Sequence, residues 1–140
     1  MQRGETELAA LLRGMEPMLH PAEHGYGLLP LDATMPPGLT AFALIAEDEG
    51  TTVIATVSEL QRHGIAHLDG WARIGLRVHS DLSAVGLTAA IATALTGAGI
   101  SANVVAGYHH DHLFVQWPLR HDAMAVLARL AGKARVAIGA

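Results

Sequence analysis

The spacing of apolar residues changes several times along the chain, and each change predicts an element. Thr6 to Arg13 carries Leu8, Leu11 and Leu12 at helical spacing, with Thr6 placed to cap the helix and Gly14 to stop it. Pro17 and Pro21 then break it. His24 to Leu29 reads as a strand, and Met35-Pro36-Pro37-Gly38 marks Asp32 to Gly38 as a loop. Thr40 to Ala46 and Thr51 to Thr56 read as a hairpin turning through Glu47-Asp48-Glu49-Gly50. Ser58 to His63 reads as a short helix stopped by Gly64, and residues 64–70 as a linker. From Trp71 to Val78, Ile74, Leu76 and Val78 share one face, which predicts a strand. Ser83 is placed to cap a helix running to about Ala98 and ended by Gly99. Two strands follow, Ser101 to Gly107 and His112 to Trp117, with His109, His110 and Asp111 at the tip between them. Pro118 opens a helix to Ala131 with Met124, Leu127 and Leu130 on one stripe, and Arg135 to Ile138 reads as a last short strand.

The order from Trp71 onward is β-α-β-β-α-β, the split βαβ arrangement of an antiparallel sheet with two helices on one face. A hairpin followed by a helix also occurs earlier, from Thr40 to His63. The expected fold class is therefore α+β, with two ferredoxin-like units at residues 1–66 and 67–140.

Composition narrows the function. Of 140 residues 51% are hydrophobic and 16% charged, so the chain can build a packed core. A net charge of -4, and nine Lys and Arg that never cluster, argue against a phosphate backbone as partner. Absence of Cys excludes disulfides and thiolate chemistry, and fits a reducing compartment. The N-terminal segment lacks the apolar core of a signal peptide and carries Glu5 and Glu7, so a cytoplasmic location is expected. Leu82 to Tyr108 has no charged side chain, but Gly97, Gly99, Ser101 and Asn103 interrupt it, so no membrane span is expected.

His79-Ser80-Asp81-Leu82 followed by Val85-Gly86-Leu87-Thr88-Ala89-Ala90 resembles the strand-to-helix loop of ACT domains. Gly99 to Tyr108 and Asp111 to Val115 resemble the second and third strands of such a unit. With Leu11 to Pro17 and Ala41 to Ile45, the chain resembles a family of short bacterial two-unit ACT proteins without an assigned reaction. It is more distantly similar to the ACT units of the CASTOR arginine sensors and of aspartate kinases. The resemblance implies tandem ACT-like βαββαβ units that bind an amino acid or similar metabolite and are not enzymes. Such domains are usually attached to an enzyme, for which this chain has no room.

The residues themselves nominate a ligand loop. A helix N-terminus presents unpaired N–H groups and partial positive charge to a carboxylate. His79, Ser80, Asp81, Leu82, Val85 and Gly86 surround that position, with Ser80, Asp81 and Ser83 offering oxygens to an ammonium group and Gly86 allowing close approach. Asn103 and Asp111 flank the following hairpin and join the candidate set. Simple helix capping competes with this reading. His109-His110-Asp111-His112 is the densest metal-capable cluster, but neighbouring strand residues face opposite ways, so no resident metal or cofactor is expected. No Gly-x-Ser-x-Gly elbow supports hydrolysis. The alternatives to ligand sensing are a protein-interaction module and, behind it, a metal-dependent enzyme built on that cluster. The helix after the loop carries small uncharged residues, Ala89, Ala90, Thr93 and Thr96, which predicts cover on both sides and a homodimer.

Overall fold

A computed structural model of the chain describes residues 2–78 and 86–138, with side chains from 7 to 78 and from 86 to 134. In chain order the elements are α1 (Gln2–Arg13), β1 (Pro17–Leu19), β2 (His24–Pro30), β3 (Ala43–Glu47), β4 (Gly50–Thr56), α2 (Val57–Arg62), β5 (His67–Leu76), α3 (Leu87–Gly97), β6 (Asn103–Ala106), β7 (Asp111–Gln116), a 3-10 turn (Trp117–Leu119) and α4 (Arg120–Ile138). They form two compact units, one of Pro21–Trp71 and one of Met1–His20 with Ala72–Ala140. The division falls inside β5, and the first twenty residues belong with the C-terminal part of the chain.

In the Pro21–Trp71 unit the strands lie in the order β3-β4-β2-β5, all antiparallel. This is the βαββαβ sheet order with the first helix replaced by the segment from Leu31 to Phe42. Pro36 and Pro37 remove two backbone donors there, so a continuous helix cannot form. Leu39 and Ala41 instead pack against the core of Leu29, Val53, Ala55, Leu60 and Ile65. Glu59 ties the segment down: its carboxylate accepts from Thr40 N–H at 2.8 Å and pairs with Arg62 at 2.8 Å and His63 at 3.1 Å. Arg62, then the Thr40 amide, hold the Glu59 carboxyl down to about 2. The Thr56 hydroxyl caps α2 by accepting from Glu59 N–H.

The sequence reading of residues 64–70 as a linker is overturned, because β5 already starts at His67. The polar run Asp69-Gly70 is a bulge. Trp71 pairs with His24 and Leu68 with Tyr26, so two residues of β5 oppose one of β2. Gly70 sits at φ 93° and donates its N–H to the Glu23 carboxylate at 2.8 Å.

In the other unit β1 pairs with the end of β5, with Met18 opposite Gly75, and β5 is followed by β7 and β6. The expected closing strand at Arg135 to Ile138 is instead the end of α4. Its edge position beside β5 is filled by Pro17–Leu19, so the pairing requirement is met by a distant segment. Trp117, expected on a strand, lies in the 3-10 turn with the Arg120 guanidinium stacked 3.8 Å from its ring centroid. The core joins Leu12 of α1, Leu87, Ile91 and Leu95 of α3, and Ala123, Leu127 and Ala131 of α4 to Ile74, Leu76, Leu113 and Val115 of the sheet.

Among the described residues of this unit α3 is covered on one side. Ala90 packs partly against the core, whereas Thr88, Ala89, Thr93 and Thr96 are exposed. Ala90→Glu is therefore expected to destabilise the fold, since it places an uncompensated charge at the core margin. Thr93→Lys is expected to stay within about 0.5 kcal/mol of wild type in urea melts. A comparable loss of stability in Thr93→Lys would show that something covers the outer face.

Candidate functional site

Strand alternation gives β5 and β7 two faces. Ile74, Leu76, Leu113 and Val115 face the helices. Arg73, Gly75, Arg77, His112, Phe114 and Gln116 take the other face. On that face lies a hollow of about 190 Å³ lined by Met18, Gly75, Leu76, Arg77, His110 and His112. Gly75 creates it. Its φ is not positive, and a methyl group there would meet nothing nearer than His112 Nδ1 at 3.6 Å. Neither backbone geometry nor crowding demands glycine there.

The hairpin tip shapes the rim. Gly107 N–H donates to His110 O at 2.8 Å, and a side chain at Gly107 would press on that same oxygen at 2.8 Å. His110 Nδ1 lies 3.4 Å from Val78 O, which brings the tip over the end of β5. Burial, then the positive charges of Arg73 and His110, push the His112 imidazole below its ordinary pKa, with Asp111 opposing weakly. Arg73 is itself pushed down by burial. Among the described residues the lining carries guanidinium and imidazole donors and no carboxylate. It can receive an anion.

Of the residues nominated from sequence, His79, Ser80, Asp81, Leu82 and Val85 lie outside the described residues, as does the expected cap Ser83. Gly86 is the N-cap residue of α3 at φ 99°, and a side chain on it would press on Leu8 of α1 at 3.3 Å. Its glycine therefore answers to backbone conformation and helix packing. Among the described residues no side chain caps α3, and no acidic residue occupies its first turn. Asn103 and Asp111 are not brought together. Asn103 pairs with Phe114 and shares the His112 face, while Asp111 pairs with Ala106 at the tip and shares the helix face.

The histidine cluster divides the same way. His109 and His110 are exposed at the turn, and Tyr108 stacks edge-on against His109 at 4.9 Å. Among the described residues no three His, Asp or Glu side chains converge as a metal site would need. Elsewhere His24 and His67 bond local carbonyl oxygens at 3.0 and 2.8 Å, which fixes turns. Gly75, Arg77 and Met18 were missed from sequence. The available signal was a glycine isolated within an alternating strand, a mark of close approach or empty space.

Two family models described as "ACT domain" match the chain, one over residues 3–72 and one over residues 67–129. A Vibrio cholerae protein of unknown function, described as a possible transport protein, is 37% identical, with 91% of this chain and 98% of that one covered and a TM-score of 0.79. The chain belongs to the ACT-domain family. Other solved structures share the fold at low identity. An Agrobacterium tumefaciens protein is 16% identical with a TM-score of 0.67, covering 79% of this chain and 84% of its own. The ligand-free regulatory subunit of aspartate kinase from Thermus thermophilus is 10% identical with a TM-score of 0.59, covering 84% and 97%. No curated protein matches the sequence. ACT domains are regulatory, non-catalytic modules, and this chain carries two of them in tandem.

Proposed function

We propose that this ACT protein is a non-catalytic sensor that binds an amino acid or a closely similar metabolite at the loop between β5 and α3. The observation that carries the reading is the start of α3. Among the described residues its first turn has no side-chain cap and no acid, and it follows directly on the loop whose sequence resembles the ACT ligand loop. Unpaired amides at that position suit a carboxylate. Ser80 and the backbone from Leu82 to Val85 take the carboxylate in this reading, with His79 and Gly86 at its margins. Asp81 and, from the helix face of the hairpin tip, Asp111 take the ammonium group. Asn103, the remaining nominated residue, shares the His112 face of the sheet.

The protein acts as a cytoplasmic homodimer in this reading. Exposed apolar residues support association: Leu28, Ile45 and Leu68 share one face of the Pro21–Trp71 sheet and are 49%, 43% and 75% exposed. No helix among the described residues is long and apolar enough to cross a membrane.

Ser80→Ala and Asp81→Ala test the placement. Each is expected to weaken the bound amino acid by about 1.5–3 kcal/mol, the cost of losing a hydrogen bond to a charged group. Unchanged affinity in both, measured by calorimetry, would move the ligand elsewhere.

A further inference from the structure

We propose that the hollow floored by Gly75 is a second binding site, for a small anion presenting a carboxylate or phosphate group, with Arg77, His110 and His112 as its donors. Its residues are other than those nominated for the ligand loop: Gly75 and His112 occupy the sheet face opposite the helices, while α3 starts on the helix side.

Three observations converge. First, the space is built rather than left over. Met18 and Gly75 are directly paired across β1 and β5, and the glycine opens a recess between the methionine and the His112 ring. An ordinary strand residue would close that recess at no cost in backbone strain. Second, the chemistry of its described lining has one sign. Arg77 follows the end of β5, His110 comes from the tip and His112 from β7, and the Arg73 charge of β5 acts on His112. Asp111 projects to the other face, and β1 offers only Met18, with Glu16 and His20 flanking the strand. A planar guanidinium beside two imidazoles matches the oxygens of a carboxylate or phosphate. Third, its size suits the ligand: a hollow of about 190 Å³ has room for a small oxyanion.

Anion binding at this position takes up a proton. His112 is held toward its neutral form by burial and by Arg73 and His110, and a bound anion reverses the local sign. Affinity therefore rises as pH falls into the range where His112 takes up its proton, which burial sets below that of an ordinary imidazole.

The test uses the full chain, with sodium acetate and sodium phosphate as separate probes at constant ionic strength. The ring resonances of His110 and His112 are followed by NMR. Acetate keeps its charge between about pH 5.5 and 7.5, so it carries the pH arm. Saturable shifts of both rings are expected with at least one probe, and which probe acts assigns the carboxylate or the phosphate class. Acetate binding should tighten several-fold from the upper to the lower pH. Gly75→Val fills the recess and should weaken binding about tenfold or more while keeping or raising Tm. Arg77→Gln should weaken it similarly, with partial rescue by Arg77→Lys. The proposal is overturned if neither probe shifts these rings, or if the shifts persist unchanged in Gly75→Val and Arg77→Gln. Amino-acid binding sensitive to Ser80 is read separately, so loss of one site leaves the other measurable.

Discussion

Leu60→Ala is expected to lower the stability of the Pro21–Trp71 unit by about 3–4 kcal/mol, within the usual range for a buried leucine. Leu60 is fully buried on α2 and lies at the centre of a core with only five buried hydrophobic residues. Its position is unusually committed. A Cβ on Gly25 would lie 3.0 Å from one Leu60 methyl, and a Cβ on Gly27 would lie 3.0 Å from the other. The leucine is thus seated in a notch cut by two glycines of β2. When it is shortened, neither glycine has a side chain to refill the space, so the cavity term adds to the lost transfer energy. Urea denaturation of the variant checks this, with Gln61→Ala on the exposed side of α2 as the control expected to stay within about 0.5 kcal/mol. A loss below about 1.5 kcal/mol in Leu60→Ala would mean that the unit collapses around the gap or that the notch is wrongly placed.

The second large effect is expected at the β3–β4 hairpin. Gly50→Ala should cost on the order of 3 kcal/mol. Gly50 is buried, adopts φ 152°, and pairs with Glu47 on one side and Pro30 on the other. A methyl group there would collide with the carbonyl oxygen of Leu29 and lie 3.1 Å from a Leu28 methyl. Backbone atoms of a central strand cannot step aside cheaply, so strain and collision act together. Gly38→Ala is the informative comparison. Its φ of 77° carries the left-handed penalty alone, since nothing lies within 4 Å of the added atom. A loss of about 1–2 kcal/mol is expected there. Equal losses at the two positions would show that the Leu29 carbonyl yields.

Much of the fold was legible because period and punctuation agree over most of the chain. The helix spacing of Leu8, Leu11 and Leu12, the alternation through Ile74 and Leu76, and the stop signals Gly64 and Gly99 each reflect a local requirement. The misreadings share a cause, which is that a distant segment settled the structure. Pro17–Leu19 is a strand because β5 offers it an edge, and three residues between prolines carry no period of their own. Asp69-Gly70 resembles a turn because a bulge uses turn residues, and only Glu23 and β2 make it part of a strand. The helical end of α4 follows from the same source, since the edge it would have paired with is already filled.

The site was legible in a narrower way. In the sequence the histidines near the second hairpin form the densest metal-capable cluster, and the pleat places His112 and Asp111 on opposite faces. The more informative residue was Gly75, which carries no chemistry and matters through the space it leaves. Asn103 and Asp111 are close in sequence to the same hairpin, but the pleat assigns them to opposite faces.

The most direct test of the sensing role is a thermal-shift titration of the full chain against each of the standard L-amino acids. A ligand that binds only the folded protein stabilises it by about 2.7 kcal/mol at a hundred-fold excess over its Kd. One amino acid, or a small set of close analogues, is expected to raise Tm in a saturable manner, and Ser80→Ala should shift that titration to higher concentration. A flat response to every amino acid at millimolar concentration would contradict amino-acid sensing by this ACT pair.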